Sequence, residues 1–324
     1  MHPVVSQKIK RGLALAVMAA SALVAGCGGG GSSQIDPFAP NRIIAFGDES
    51  GAILQSGKKY TINALDATTR QISCGLSPVW TQVVASGFGF VYQECNTGFV
   101  ALPQGLMYAT LGAKVADVRD KIDQHLMNDR FGPKDLVVMM VGVNDIVELY
   151  KLYPLVGRES LLSEATARGT LLGQQVNRIV NANGRVVVTT IFNVADTPFG
   201  VNERAQQTDI DRGQLLKDLT EAFNVAMRLT TINDGRYVGL VQVDEAIERY
   251  VRYPSLGSYV NVTDSACRAD VALQDCTTDS LKPDALTTNA LGTNWLWAGD
   301  TVLGPAAQSQ IGSLVLSRAK NNQF

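Results

Sequence analysis

The residues with the most chemical capacity gather in three short stretches. Gly47-Asp48-Glu49-Ser50 closes one apolar run, and Gly142-Val143-Asn144-Asp145 closes another. Asp300 lies in Trp297-Ala298-Gly299-Asp300-Thr301-Val302-Leu303, near the C-terminus. Asp48, Glu49, Asp145 and Asp300 could together bind a cation or do acid–base chemistry. Asp48 and Asp145 more often brace turns by accepting backbone hydrogen bonds, and Glu49 is expected to face solvent. Ser50 offers a hydroxyl, a weak nucleophile near neutral pH unless a base takes its proton; its commoner role is as the N-cap of a first helix. The usual base is scarce, because the chain has two histidines, His2 and His125. His2 falls in a segment expected to be removed. His125 falls in a helix about ten residues past the Gly112 loop, about 15 Å along the axis, and is expected to be a solvated surface residue. No C-x-x-C unit or cysteine–histidine cluster calls for zinc, and no metal or cofactor is expected.

Alternating elements must position these stretches. Arg42–Phe46, Phe88–Tyr92, Leu136–Val141, Arg185–Phe192 and Val238–Val243 read as strands. The run Leu136–Val141 is apolar throughout, as in a parallel strand buried on both faces. Helical spacing marks Val115–Arg130 (Val115, Val118, Ile122, Leu126), Glu159–Asn183, Asp209–Thr230, Ala246–Tyr253 and Pro305–Ala319. Residues 254–291 are polar and irregular. Strands alternating with helices imply right-handed crossovers and one doubly wound, three-layer α/β domain with a parallel central sheet. Ligands in such sheets sit beyond the carboxyl ends of the strands, where the three stretches fall. Trp295 and Trp297 flank that edge. They could stack on a sugar or acyl group, or pack in the core, as could Tyr250, Tyr253 and Tyr259.

From residue 42 onward the sequence resembles the SGNH/GDSL ester hydrolases, whose fold is of this flavodoxin-like kind. Phe46-Gly47-Asp48-Glu49-Ser50 resembles the family's first block, Phe-Gly-Asp-Ser. Tyr108-Ala109-Thr110-Leu111-Gly112-Ala113 is similar to its Tyr-Ala-x-Gly-Gly-Ala segment. Val141-Gly142-Val143-Asn144-Asp145 is similar to its Gly-x-Asn-Asp block, and the stretch from Trp297 to its Trp-Asp-x-x-His. The resemblance implies a serine nucleophile, a histidine base, an orienting aspartate, and an oxyanion hole made of the serine amide, a glycine amide and an asparagine side chain. Carried over by residue, Asn144, Gly112 and Asp300 match. Leu111 replaces the first of the two glycines, Glu49 occupies the serine position and Leu303 the histidine position.

The N-terminus carries Lys8, Lys10 and Arg11, then an apolar run from Gly12 to Ala25. That run is too short to span a bilayer comfortably and reads as a secretory signal. It ends in Val24-Ala25-Gly26-Cys27, which resembles a bacterial lipobox. The resemblance implies removal of residues 1–26, acylation of Cys27, and a flexible tether over 27–41 before a single domain at 42–324. Gly28 in place of aspartate favours the outer membrane, by resemblance to enterobacterial sorting. Four further cysteines, Cys74, Cys95, Cys267 and Cys276, suit two disulfides in an exported chain. Sequence neighbours favour Cys74–Cys95 and Cys267–Cys276, with three pairings open. A net charge of −2 with no basic block past the N-terminus leaves no footprint for nucleic acid.

Three functions compete. The first is a lipid-anchored, non-catalytic member of the fold that binds a small-molecule, acyl or carbohydrate ligand or scaffolds an envelope assembly. The second is an ester hydrolase rewired around Ser50 or a carboxylate-activated water. The third is a carboxylate cation site.

Overall fold

The computed structural model describes residues 37–287 and 293–324. Cys27 and its tether up to residue 36 lie outside them. Residues 38–324 form one compact unit. Five parallel strands make its central sheet: β1 (Arg42–Gly47), β2 (Gly105–Met107), β3 (Asp135–Met140), β4 (Arg185–Thr189) and β5 (Val238–Val241), in the order β2-β1-β3-β4-β5. The order reverses between β1 and β3, which pair from Arg42↔Asp135 to Gly47↔Met140. Ile43, Ile44, Leu136, Val137, Val186 and Val187 have no exposed surface, so the sheet is covered on both faces. Their β-branched and aliphatic side chains suit a pleated surface packed from both sides.

The flanking helices are α1 (Trp80–Gly87), α2 (Val115–Asn128), α3 (Val143–Lys151), α4 (Arg158–Asn181), α5 (Pro198–Gln206), α6 (Arg212–Thr230), α7 (Val243–Arg252), α8 (Pro283–Thr287) and α9 (Pro305–Asn321). Helix α4 packs along α6 and touches α2, while α9 packs along α1. Gly169 of α4 makes the first contact close: a Cβ there would lie 2.2 Å from the Phe223 carbonyl oxygen of α6. Asp211 caps α6 by accepting from Gln214 N–H, so that helix starts three residues later than its apolar stripe suggests. A parallel pair, β6 (Asn261–Ser265) and β7 (Trp295–Trp297), leads into α9.

The second strand is not Phe88–Tyr92. Phe88 and Gly89 instead end α1, with Gly89 at φ +78°, and Tyr92 makes only an isolated bridge to Gly105. The edge strand is β2, whose three residues are too few to show a period. Cys74–Cys95 and Cys267–Cys276 are both disulfide-bonded. The first lies beside Lys59, whose Nζ is buried and donates to the carbonyls of Cys74, Leu76 and Ser77 at 2.6–3.0 Å. Among the described residues no helix is long and apolar enough to cross a membrane.

Candidate functional site

Gly47 lets the ends of β1 and β3 close on each other. A side chain there would place its Cβ 2.2 Å from the Met140 carbonyl oxygen. Asp48 N–H donates to that same carbonyl at 3.3 Å, so the first and third blocks become neighbours. The second block arrives along the continuation of β2, where Thr110 N–H donates to Gly47 O at 3.1 Å. Gly112 follows at φ +70°, a conformation glycine adopts without steric cost.

These three turns hold one carboxylate. Glu49 is 7% exposed. Its Oε2 accepts from the Gly112 backbone N–H at 2.8 Å and from Asn144 Nδ2 at 3.0 Å. Asn144 Nδ2 also donates to Ala113 O at 3.3 Å, which orients the amide. Two donors aimed at one oxygen at this distance are the geometry that stabilises an oxyanion. Here the oxygen belongs to the protein. The expectation of a solvent-facing Glu49 is therefore corrected: its carboxylate turns inward because a charge-assisted bond is the strongest these two donors can make.

Ser50 turns away from the donors. Its Oγ donates to Asp48 Oδ1 at 2.5 Å, its N–H donates to the same oxygen at 3.0 Å, and Gln308 Nε2 holds its carbonyl. No helix starts there, so Ser50 is not an N-cap; the chain passes through turns until Trp80. Asp48 braces the turn as expected, and Asp145 likewise accepts from Val115 N–H at 3.1 Å and from Arg168 Nη1 at 3.3 Å. Asp48 is fully enclosed, and its Oδ2 has no hydrogen-bond partner. Burial, then the charge of Glu49, pushes its pKa up to about 8. Burial also lifts Asp145, to about 6, against the pull of Val115 N–H and Arg168.

His125 is not a solvated surface residue. It is fully buried, its Nδ1 lies 3.1 Å from Tyr108 OH, and its ring packs on Phe131 with centroids 4.4 Å apart. The face of α2 on the sheet is Val115, Val118, Ile122 and His125, while Leu126 is only half-buried. His125 lies three residues past Ile122, so the stripe itself carried this signal. Burial pushes its pKa down.

The remaining family positions do not join the site. Asp300 is exposed and contributes its carbonyl to Phe199 N–H at 3.0 Å. Among the described residues no hydrogen bond links it to Glu49, Gly112 or Asn144. Leu303 is fully buried in the main core, and its carbonyl accepts from Thr61 Oγ1 at 3.0 Å. Leu111 is an exposed loop tip. Trp295 and Trp297 are core residues; Trp297 packs edge-on against Phe192 and donates Nε1–H to Val262 O. Tyr250 and Tyr259 pack on each other, and Tyr253 is exposed. One neighbour had no sequence signal: buried Tyr60, whose pKa rises through burial and the charge of Glu49. Among the described residues no three acidic, histidine or cysteine side chains converge as a metal would require.

A cavity of about 720 Å³ opens beyond the carboxyl ends of β4 and β5. Asp196, Arg204, Lys217, Arg228, Asp244 and Glu248 are in its wall, and none of Glu49, Gly112, Asn144 or Asp300 is. This cavity and the donor pair are thus separate features.

No protein-family model and no curated protein matches the sequence. Solved structures similar to this chain include an alpha/beta hydrolase enzyme from the metagenome of Lake Arreo, Spain, at 13% identity and TM-score 0.46, covering 87% of this chain and 96% of that one. Another is a member of the lipolytic protein G-D-S-L family from Veillonella parvula, at 9% identity and TM-score 0.40, covering 85% and 96%. A third is an acetylxylan esterase from Geobacillus stearothermophilus, at 13% identity and TM-score 0.42, covering 88% and 96%. The five-stranded parallel sheet with helices on both faces, and the three turns meeting where its strand order reverses, make a doubly wound three-layer α/β fold.

Proposed function

We propose that this chain is an exported, lipid-anchored protein of the SGNH/GDSL fold that does not hydrolyse esters and acts by binding. One observation carries the reading: Glu49 Oε2 occupies the point where Gly112 N–H and Asn144 Nδ2 converge. An ester carbonyl needs those donors for its tetrahedral oxyanion, and a resident carboxylate both fills the place and repels negative charge. The sequence adds that neither histidine can serve as base, since His125 is sealed in the core and His2 belongs to the expected signal.

Binding is better served by the cavity beyond β4 and β5. Its wall mixes Asp196, Asp244 and Glu248 with Arg204, Lys217 and Arg228, which suits a polar ligand such as a carbohydrate better than an acyl chain. Acylation of Cys27 would hold the domain at the cell envelope, in the outer membrane by the sorting resemblance.

The test is direct. Purified mature protein offered a short-chain nitrophenyl ester is expected to show no turnover above buffer, and Ser50→Ala is expected to change nothing. Turnover that Ser50→Ala abolishes would replace this reading with a hydrolase rewired around Ser50.

A further inference from the structure

We infer that the end of the domain opposite Glu49 docks on the surface of a lipid bilayer, with the loop Asn96–Pro103 inserted among the acyl chains. The inference rests on the lipid anchor proposed above.

The loop reads Asn96-Thr97-Gly98-Phe99-Val100-Ala101-Leu102-Pro103 and holds no charge. Phe99 is 91% exposed and Leu102 77% exposed, an unfavourable placement for large apolar groups facing only water. The exposure is built rather than loose. Asn96 clamps the loop twice, its Oδ1 accepting from Val100 N–H and its Nδ2 donating to Val100 O, both at 2.8 Å. Cys95, next to it, is tied to Cys74. Phe99 itself sits at φ +53°, which a bulky L-residue rarely adopts. The fold thus holds a strained residue with its ring pointed outward.

The position of the loop identifies what it meets. Ile43 N–H donates to Gln104 O at 3.0 Å, and Ile43 pairs with Gly105, so the loop ends beside the start of β1. That is where the chain joins the domain from Cys27. On the other side, Asn41 N–H donates to Lys134 O at 2.8 Å. The ten residues from Cys27 to Pro37 span at most about 35 Å, so an acylated Cys27 keeps this end near the bilayer. Helix α2 also runs from the Glu49 end to this one, where Asp129 pairs with Arg42. Arg130 and Lys134 beside it are exposed, and among the described residues neither takes part in an ion pair. Two exposed cations at the same end of the sheet as the apolar prong complement an anionic lipid surface. The Glu49 end and the cavity beyond β4 and β5 would then face away from the membrane.

Trp80, Trp295 and Trp297 are all buried, out of reach of brominated chains, so quenching and emission changes relative to the parent protein report on the added tryptophan. The experiment uses mature protein purified from the membranes of the expressing bacterium. Phe99→Trp, Leu102→Trp and, at the far end, Leu155→Trp are each reconstituted into vesicles of phosphatidylethanolamine and phosphatidylglycerol with brominated acyl chains. The first two are expected to be quenched at least about twofold more than Leu155→Trp, with blue-shifted emission. Equal quenching at both ends, or none at either loop position, overturns the inference; the two loop variants guard against one misfolding. Mass analysis of the mature N-terminus reports separately on acylation. An acylated protein without loop quenching refutes the docking alone, and an unacylated one that still shows it refutes the anchor alone.

Discussion

A single oxygen decides what the residues around Glu49 can do. Serine and glutamate differ by a short carboxylate arm, and that arm carries Oε2 into the donor pair. Exchanging Glu49 for serine would empty the place, but it would not supply a base. Leu303, at the family's histidine position, is sealed in the main core beside the bridge to Trp297. Glu49→Ser with Leu303→His is therefore expected to stay inactive toward nitrophenyl esters. It should also lose about 2–4 kcal/mol of stability, because a polar imidazole replaces a packed leucine. Urea unfolding with the ester assay checks both; a stable double variant that turns over ester would show that position 303 can reach the donors. Glu49→Gln tests the resident carboxylate more gently. Its amide oxygen can still accept from Gly112 and Asn144, while the charge beside Asp48 is gone. The Asp48 pKa is then expected to fall, read from the carboxyl carbon shift across a pH titration.

Elements explain why two glycines at the same site are not equivalent. At Gly47 a methyl group would meet the Met140 carbonyl at 2.2 Å, so Gly47→Ala must push β1 from β3. A loss of about 3 kcal/mol or more is expected. At Gly112 the same methyl meets nothing within 4 Å, and only the φ of +70° resists it. Gly112→Ala is expected to cost about 1–2 kcal/mol. Thermal melts of the pair rank them, and the opposite order would mean that the β1–β3 approach is not the tight contact. The same contrast shows what could be read from residue order alone. Long buried strands and amphipathic helices were legible because burial on two faces or one leaves a period, as in Leu136–Val141 and in Leu215, Leu219 and Phe223. The three blocks were legible because turns at strand ends hold fixed residue types. Short elements such as β2 and α3 leave too few residues for a period. The orientations of Glu49 and Ser50 were not legible, since they depend on donors brought from positions 112 and 144 and from a buried Asp48 that the chain order does not place.

For the whole molecule, the enclosed ionisable groups set how stability follows pH, and they pull in opposite directions. Asp48 has its pKa raised from 3.8 to about 8. Between those values the native state keeps a proton that the unfolded chain has released. Its contribution is therefore full below about pH 4 and disappears as pH rises through about 8. Asp145 acts the same way over a narrower window, up to about 6. His125 has the opposite sign: burial lowers its pKa, so below about pH 6.5 the unfolded chain takes up a proton that the native core refuses. Stability is lost there as pH falls. Each group can tilt the curve by at most about 1.4 kcal/mol per pH unit within its own window. Above pH 6.5 the His125 effect fades, and Lys59, whose pKa burial lowers to about 8, adds stability only as pH nears 8; Asp48 outweighs both, so unfolding free energy is expected to fall as pH rises from 6.5 to 8. Asp48→Asn keeps the acceptor for Ser50 and gives the unpartnered Oδ2 position a neutral group. That variant is expected to flatten the curve over this window and to be more stable than the parent at pH 8. Urea titrations at half-unit pH steps measure it directly; a parent curve that rises between pH 6.5 and 8, or a variant no flatter than the parent, would mean that Asp48 is already ionised inside the fold.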